Sequence, residues 1–405
     1  MNKQLVFYLV GGICSLIIAM GIGRFAYTPI LPLMQQDLSF SNAVAGYLAT
    51  TNYAGYLVGA LLTGVISFKQ HRTRYLRISL VISIATTASM GLFHSYFLWY
   101  IFRFLSGVAS SFVFVLASSI VLDKLAVKNK SNLSGIFYGG VGLGIFLTGL
   151  MIPLLNRSLK WEGAWIGVAA VSVVLALFVW IWMKDDQDSK GKKKQEANAQ
   201  SSPVTWLPWL IAAYGLEGLG YIVTGTFIVA IAAETPSFQG DATFVWMVVG
   251  LAAIPSCILW SSLAKKWGFV KPLLLAMTLQ SIGIAMPALW LSQSGLIISA
   301  ILFGATFMGI TTLTTTFARQ MNPSNSSRII GYLTAVYAVG QMIGPTIAGM
   351  LASVTHDYHA ALLGAAAAVL LGAAFLLKGI RFEKKVALEN GLINAKHLKI
   401  KKDVM

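Results

Sequence analysis

Charged side chains are rare inside the long apolar stretches of this sequence, and three of them define candidate chemistry. Arg24, Arg103 and Glu217 are the only Asp, Glu, Lys or Arg residues well inside predicted membrane spans. A charge near the centre of a bilayer is costly, so it normally faces a cavity or a partner. A guanidinium binds carboxylate, sulfonate or phosphate through two parallel hydrogen bonds, and a buried carboxyl can exchange a proton. These residue types indicate a site for a small charged molecule.

Arg24 and Glu217 lie in two glycine-rich segments that repeat along the chain. Residues 21–27 read Gly-Ile-Gly-Arg-Phe-Ala-Tyr, and residues 215–221 read Gly-Leu-Glu-Gly-Leu-Gly-Tyr. Further glycine pairs recur at nearly the same offset, namely Gly107 with Gly304, Gly135 with Gly331 and Gly144 with Gly340. The matches predict two duplicated halves. Parallel repeats are typical of secondary transporters, whose substrate site lies between the halves near the bilayer midplane.

The composition predicts a membrane protein. Hydrophobic residues make up 57% of the chain and charged residues 11%, whereas a soluble domain carries about 25% charged residues. The mean hydropathy is +0.73, and the apolar runs lack the alternation of barrel strands. We expect an all-α membrane protein with twelve transmembrane helices in two pseudo-symmetric six-helix bundles. The predicted spans are residues 5–33, 44–67, 76–94, 96–122, 133–155, 162–183, 204–233, 242–263, 272–291, 295–318, 329–353 and 359–378.

The predicted organisation has four parts. Residues 1–183 form the amino-terminal six-helix bundle, and residues 203–378 form the carboxy-terminal one. Residues 184–202 are too polar to build a core, so we expect a cytoplasmic linker there. We expect residues 379–405 to be a basic cytoplasmic tail, either solvated and partly disordered or lying on the membrane as an amphipathic helix.

The formal net charge of +16 is explained by membrane topology. Of the 30 Lys and Arg residues, 26 fall in the termini, the linker and the even-numbered loops, and only Arg157 and Lys160 fall in the opposite loops. Because cytoplasmic loops collect Lys and Arg, both termini should face the cytoplasm of a cell-membrane protein. The basic loops favour anionic lipids as partners, and aromatic residues are nearly absent from them, so we expect no nucleic-acid partner. We expect a monomer.

Polar and aromatic side chains share helix faces in several predicted spans. In the seventh span, Tyr214, Glu217, Tyr221 and Thr224 follow helical spacing. Such residues can bind neighbouring helices together, but their occurrence in several spans favours a shared cavity. The predicted substrate-binding residues are Arg24, Tyr27, Asn52, Tyr56, Tyr138, Tyr214, Tyr221, Thr224, Trp246, Tyr337 and Gln341.

A second set of residues is predicted to act in coupling and gating, namely Glu217, Arg103, Gly144, Gly344 and Pro345. Glycines allow helices to approach closely, and proline removes an amide donor and can bend its helix. Tight packing by small residues is the alternative explanation. Arg103 lies near the start of its span, where a fixed ion pair or backbone carbonyls can satisfy it without a functional role.

Three motifs carry a resemblance to a known family. Arg103-Phe-Leu-Ser-Gly107 in the fourth span is similar to an Arg-x-x-x-Gly signature, and Gly340-Gln-Met-Ile-Gly344-Pro345-Thr-Ile-Ala-Gly349 to a glycine-proline signature. Both are signatures of the major facilitator superfamily, and Gly23-Arg-Phe-Ala-Tyr-Thr-Pro-Ile-Leu-Pro32 resembles its YbfB/YjiJ branch. The resemblance covers nearly the whole chain and implies a transporter. Between the second and third spans, this sequence lacks the aspartate that is usual in the family.

The sequence contains none of the motifs that would indicate an enzyme: it has no Walker loop, no His-Glu-x-x-His motif and no Cys/His cluster. We expect no cofactor and no metal. The preferred hypothesis is a secondary active transporter of a small anionic or zwitterionic solute, working by alternating access and coupled to protons. Arg24 would anchor the anion, and Glu217 would take up the proton and compete with the substrate for Arg24.

Two alternatives stay open at this point. The first is an efflux transporter for amphipathic cations or drugs, in which Glu217 anchors the cation and aromatic side chains form the walls. The second is a membrane sensor or scaffold that binds a ligand without moving it. The sequence does not distinguish import from export.

Overall fold

The computed structural model describes residues 3–65, 71–130, 133–183, 206–321 and 326–403, and within them the chain is helical. The predicted linker, residues 184–202, lies outside the described residues. The elements are α1 (Lys3–Leu16), a π-helix (Ile17–Ile22), α2 (Tyr27–Leu38), α3 (Asn42–Val65), α4 (Arg72–Leu92), α5 (Tyr96–Val127), α6 (Ser134–Trp182), α7 (Leu207–Glu234), α8 (Thr243–Ala253), α9 (Ser256–Trp267), α10 (Val270–Leu289), α11 (Gln293–Met321), α12 (Ser326–Thr355) and α13 (His359–Asp403).

Ten helices among the described residues are long and apolar enough to cross a membrane. Two features relate this number to the twelve predicted spans. α6 has non-helical backbone angles at Lys160 (φ 54°, ψ −169°), and Leu155 packs against Gly167 across this point, so α6 is a hairpin of two antiparallel arms. α6 therefore accounts for two of the predicted spans. α3, which has 24 residues, is not among the ten helices and occupies the second predicted span. The architecture is consistent with twelve spans.

The first span is interrupted where it carries Arg24. α1 continues into the π-helix, and residues 23–26 form a turn before α2 begins. The amide of Gly23 donates to the carbonyl of Ile18 at 2.8 Å, and that of Phe25 to Met20 at 3.0 Å. These five-residue steps displace the backbone from the α-helical register. Single-turn π-segments inside longer helices are frequent at functional sites.

Equivalent contacts recur in the two halves. A Cβ atom on Gly107 of α5 would meet the carbonyl oxygen of Asn52 on α3, and one on Gly304 of α11 would meet that of Val249 on α8. Likewise, Gly144 of α6 packs on Gly21, and Gly340 of α12 packs on Gly215 of α7. The residues of the first contact in each comparison recur in the second contact at the offset of the sequence repeat, as expected for a duplicated packing unit.

The halves meet mainly along two helix pairs, α3 with α12 and α6 with α8, and α2 also contacts α7. In the first pair, a Cβ on Gly46 would meet the carbonyl of Pro345. In the second pair, a Cβ on Gly149 would meet the backbone amide of Met247. At the carboxyl end, α13 runs as a helix to Asp403.

Candidate substrate site

Arg24 is the centre of the candidate site. Its side chain is only 2% exposed, and it sits in the turn between the π-helix and α2. Its Nη2 donates to Oε1 of Gln341 on α12 at 2.9 Å, so this bond joins the two halves. Its Nε has no hydrogen-bond partner in the described part of the chain, and no ion pair joins it to a described carboxylate. Arg24 therefore keeps an uncompensated positive charge at the interface of the halves.

Aromatic rings take the place of a counter-ion around Arg24. The guanidinium carbon lies 4.2 Å from the ring centre of Tyr56, 4.9 Å from that of Tyr53 and 5.4 Å from that of Phe25. The electron-rich ring faces attract the cation, by about 2 kcal/mol or more where water is excluded. Of these rings, only Tyr56 was predicted. Tyr53 lies three residues before it on α3, and this helical spacing is the signal that could have found it.

Gln341 connects Arg24 to a stack of rings in the carboxy-terminal half. Its Nε2 donates to the hydroxyl of Tyr221 on α7. The Tyr221 ring stacks against Tyr337 of α12 at 5.5 Å, and Tyr337 stacks against Tyr214 at 4.2 Å. The structure thus brings four of the predicted residues, Gln341, Tyr221, Tyr337 and Tyr214, into one continuous group with Arg24.

Two phenylalanines of α11 complete this wall and were not predicted. Phe303 and Phe307 each lie 6.1 Å from Tyr221 in nearly parallel orientation. Phe307 also contacts Phe25 edge-on at 6.4 Å. Trp246, a predicted residue on α8, lies 6.2 Å from the same Phe25 ring, and its indole nitrogen is buried without a described hydrogen-bond partner. The site therefore has a largely aromatic lining.

Glu217 lies one turn before Tyr221 on α7 and is fully buried. Neither of its carboxyl oxygens has a hydrogen-bond partner in the described part of the chain. The amide of Gln280 on α10 lies beside it, but outside hydrogen-bond geometry, and both polar atoms of that amide are also unpartnered. Glu217 forms no ion pair with Arg24. The direct competition for Arg24 that the sequence suggested is therefore absent from this state.

Arg103 is directed at backbone of the amino-terminal half, although its Nη2 is buried without a hydrogen-bond partner among the described residues. Its Nε and Nη1 approach the carbonyls of Leu48 and Gly23, each at 3.4 Å, and its guanidinium lies 4.6 Å from the ring of Tyr27. Asn52 donates to the carbonyl of Arg103 at 2.9 Å. Tyr27 donates to the carbonyl of Ala45 at 2.9 Å. This geometry favours the structural interpretation of Arg103, and it separates Tyr27 and Asn52 from the group around Arg24.

The remaining predicted residues lie outside the Arg24 group. Tyr138 is half-buried on α6 and packs against Phe114 and Phe137. The hydroxyl of Thr224 is buried without a described partner. Gly344 of α12 packs on the carbonyl of Leu219 of α7, within one half. The predicted gating glycines, Gly144 and Gly344, thus mark close helix contacts, and Pro345 lies at the interface of the halves.

Hydrogen bonds between the halves lie at Arg24 or beyond it, toward the end of the molecule opposite the amino terminus (the outer end). Thr28 donates to the carbonyl of Gly225 at 2.6 Å, and the hydroxyls of Tyr53 and Thr226 lie 3.3 Å apart. Further out, the amide of Ala43 donates to Ser353. Above these bonds, a groove of about 490 Å³ opens between the halves at the outer end.

A family model described as "Uncharacterised MFS-type transporter YbfB" matches residues 16–377 of this sequence. The chain belongs to this family of major facilitator transporters. It is 25% identical over 379 residues to the uncharacterised MFS-type transporter YceJ of Bacillus subtilis (strain 168), covering 89% of this chain and 92% of YceJ. It is 23% identical to the uncharacterised MFS-type transporter YcaD of Shigella flexneri serotype 5b, covering 85% and 88% of the two chains.

Solved structures agree on the fold. The nucleoside transporter NupG superposes with a TM-score of 0.70 at 14% identity, covering 93% of this chain and 99% of NupG. A point mutant of NupG gives a TM-score of 0.72. The transporter therefore has the major facilitator fold. It is a multi-span membrane protein that moves a small molecule and is not an enzyme.

Proposed function

We propose that this transporter moves a small organic anion or zwitterion by alternating access, with Arg24 as the anchor for the anionic group and Glu217 as the proton-responsive group. One observation carries the proposal. Arg24 is buried at the interface of the halves, and its described partners there are a neutral amide and aromatic rings.

The charge of Arg24 favours an anionic ligand on physical grounds. A charge removed from water needs a partner of opposite sign and further hydrogen bonds to recover its desolvation cost. Each guanidinium has one buried nitrogen without a described partner. Arg103 approaches two carbonyls of its own half, whereas the hydrogen bond of Arg24 is made to one neutral amide of the other half. A carboxylate, sulfonate or phosphate would supply two charge-assisted hydrogen bonds. The same charge would repel an amphipathic cation, so the anion hypothesis is the better supported of the two.

The lining favours a ligand with a flat apolar body. Tyr221, Phe303 and Phe307 present nearly parallel rings close to the Gln341 bond. Aromatic rings stack favourably at offsets of this size, by about 0.5–1.5 kcal/mol per pair beyond the burial of area. We therefore expect aromatic carboxylates or sulfonates to bind more tightly than small aliphatic acids such as acetate.

The bond network offers an indirect route between substrate and proton. An anion that takes the Nη2 hydrogen of Arg24 now bonded to Gln341 would displace that amide, which is also bonded to Tyr221. Tyr221 lies one helical turn from Glu217 on α7, so a shift of that helix would change the surroundings of the carboxyl. In this scheme, binding of the anion at Arg24 alters the hydrogen bonds of Gln341 and, through them, the carboxy-terminal half. Direct contact between Arg24 and Glu217 is not needed.

The contacts between the halves are compatible with alternating access. Thr28, Tyr53 and Ala43 hold the halves together at the outer end. On the opposite side of Arg24, polar residues of α11 such as Thr311, Thr312 and Thr315 are partly exposed. We therefore assign this structure to a state that is closed at the outer end. Rocking of the halves about α3–α12 and α6–α8 would open it.

The test is a ligand-stabilisation panel on the purified full-length protein. Benzoate, phthalate and benzenesulfonate represent the proposed class, with acetate for size, uridine as a neutral ligand of nucleoside type and tetraphenylphosphonium as an amphipathic cation. Thermal unfolding is recorded for the wild type, Arg24→Gln and Arg157→Gln. Arg157 is an exposed arginine far from the site, so it controls for loss of one positive charge.

We expect the aromatic anions to stabilise the wild type and Arg157→Gln, and Arg24→Gln to bind them about 10- to 100-fold more weakly, since a hydrogen bond to a charged group contributes about 1.5–3 kcal/mol. The anion proposal would be overturned if only tetraphenylphosphonium or uridine, and none of the aromatic anions, stabilised the wild type. It would also be overturned if Arg24→Gln bound the aromatic anions as tightly as the wild type does.

A further inference from the structure

A second candidate binding site lies on the outside of the amino-terminal half, away from Arg24. α4 and the second arm of α6 enclose a groove of about 310 Å³ near the end of the molecule that carries the amino terminus. Its lining combines two arginines, one tryptophan and three aliphatic side chains, namely Arg74, Arg77, Trp180, Ile78, Val81 and Ile82. The groove faces the space that lipid occupies around a membrane-spanning helix.

The polar end of the groove is built around Arg77. Its Nη2 donates to the carbonyls of Trp180 at 3.0 Å and Met183 at 2.8 Å, and its guanidinium lies 5.6 Å from the Trp180 ring centre. These contacts fix the guanidinium at the end of α6. Its Nε is buried and has no hydrogen-bond partner among the described residues, so the two backbone carbonyls do not satisfy the whole guanidinium.

Arg74 adds a second positive charge one helical turn closer to the amino-terminal end of α4. The neighbouring Arg72 is bound to Asp123 at 2.6 Å, whereas Arg74 is exposed. Among the described residues, no carboxylate pairs with Arg74 or Arg77. The polar end of the groove therefore carries two positive charges that a single phosphate could bridge.

The other end of the groove is apolar and exposed. Ile78, Val81 and Ile82 are 46%, 53% and 39% exposed, and they follow the arginines along α4 toward the middle of the membrane. A charged end and an apolar wall in this order match a phospholipid, with its phosphate at the membrane surface and its acyl chain pointing inward. A soluble phosphate would leave the apolar wall unused.

We propose that this groove binds an anionic phospholipid of the leaflet on the amino-terminal side, with its phosphate at Arg74 and Arg77. The acyl chain lies along Ile78, Val81 and Ile82. Trp180 caps the junction between headgroup and chain, the position that amphipathic aromatic rings favour in membranes. The lipid bridges α4 and the second arm of α6. The predicted topology makes this the cytoplasmic leaflet.

Native mass spectrometry of the full-length protein tests the site. Delipidated wild type, Arg74→Gln, the double variant Arg74→Gln/Arg77→Gln and the control Arg319→Gln are titrated with dioleoylphosphatidylglycerol and, separately, with dioleoylphosphatidylcholine. Arg319 is an exposed arginine in the last turn of α11. We expect the wild type to prefer phosphatidylglycerol, and each groove substitution to weaken that lipid about fivefold, because a basic residue near an anionic surface contributes about 1 kcal/mol.

Three results would overturn the proposal. The first is equal affinity of the wild type for the two lipids. The second is the same loss in Arg319→Gln as in Arg74→Gln. The third is binding of inorganic phosphate, titrated in the same way, as tightly as phosphatidylglycerol, which would indicate a free-anion site. Since Arg74 is exposed, Arg74→Gln should stay folded, and it keeps the test valid if the Arg77 substitution destabilises α6.

Discussion

Arg24 and Arg103 have different surroundings at similar burial. The guanidinium of Arg103 is directed at backbone carbonyls of its own half, so its hydrogen bonds are preserved if the two halves move as rigid bodies. Arg24 is bonded to Gln341 of the other half, so any rocking of the halves must change its partner. We therefore expect substitutions at Arg103 to affect stability and substitutions at Arg24 to affect substrate binding.

Replacement of Arg24 by lysine separates charge from geometry. Lysine keeps the positive charge but lacks the planar fork that binds an anion through two hydrogen bonds. We expect Arg24→Lys to retain less than about a tenth of wild-type uptake, measured in proteoliposomes with the anion that stabilises the protein best. Full uptake by Arg24→Lys would show that charge alone suffices and would contradict bidentate recognition.

Glu217 is the carboxyl on which we expect proton coupling to depend. Glu217→Gln preserves the size of the side chain and its capacity for hydrogen bonds while removing the titration. This variant should lose accumulation driven by a pH gradient yet retain exchange of substrate across the membrane, both measured by uptake into proteoliposomes.

The matched control is Glu162→Gln, which removes a carboxyl near the outer end that lies 3.3 Å from His94. We expect Glu162→Gln to accumulate substrate as the wild type does. Continued accumulation by Glu217→Gln in response to a proton gradient would make Glu217 a structural residue, and coupling would then have to use another ion.

The sequence predicts the members of the site better than their pairing. Buried charge identified Arg24 and Glu217, and helical spacing identified Tyr221 and Gln341. The pairing of Arg24 with Gln341 depends on how α12 is rotated against the turn in the first span, and periodicity within one helix carries no information on that rotation. Phe303 was missed because an apolar ring in a membrane span can equally face lipid or a cavity.

At the scale of elements, the broken first span links the site to the outer contacts. The turn at residues 23–26 holds Arg24, and Thr28 at the start of α2 bonds to Gly225 of α7. Because Arg24 and Thr28 are only four residues apart, movement of α2 relative to α7 would therefore also displace Arg24. The sequence predicted this span as one continuous helix, because the π-segment, in which Gly21 packs closely against Gly144, leaves no mark on hydropathy.

Two of the hydroxyl bonds between the halves, those of Thr28 and Tyr53, should stabilise the state that is closed at the outer end. The double variant Thr28→Val/Tyr53→Phe removes both hydroxyls at nearly constant volume. Two hydrogen bonds contribute roughly 2 kcal/mol, or about a thirtyfold change in the ratio of closed to open states. Electron paramagnetic resonance distances between spin labels at Ser41→Cys and Glu234→Cys, which face the outer groove, should lengthen in the double variant.

The control for this experiment is Thr51→Val on the same helix as Tyr53. The hydroxyl of Thr51 donates to the carbonyl of Tyr47 within α3, so its loss leaves the contacts between the halves intact. An unchanged distance distribution in the double variant, or an equal change in Thr51→Val, would refute the role of these bonds in closure.

At the scale of the whole molecule, the distribution of basic residues predicts the orientation in the membrane. The helical hairpins of the structure place the loop between α12 and α13 at the outer end, and this loop carries one aspartate and no Lys or Arg. The fold itself was predictable because each span must satisfy its backbone hydrogen bonds internally, which makes long apolar helices unmistakable in the sequence. Orientation, by contrast, is fixed by charges outside the spans.

Cysteine labelling tests the orientation in intact cells. The two native cysteines, Cys14 and Cys257, are buried, so background labelling should be low. A membrane-impermeant maleimide should label Asp357→Cys from outside and should leave Lys190→Cys unlabelled until the membrane is permeabilised. The reverse pattern would invert the orientation without affecting the transporter assignment.

Uptake by proteoliposomes of the anion that stabilises the protein best is the most direct measurement of the central claim, that this transporter carries an organic anion through a site at Arg24. We predict time-dependent uptake with the wild type and with Arg157→Gln, and its abolition in Arg24→Ala, with the variant folded and present in the vesicles at wild-type level. Wild-type uptake by Arg24→Ala would contradict the claim. So would binding of the anion to the wild type without any uptake, which would instead indicate a sensor.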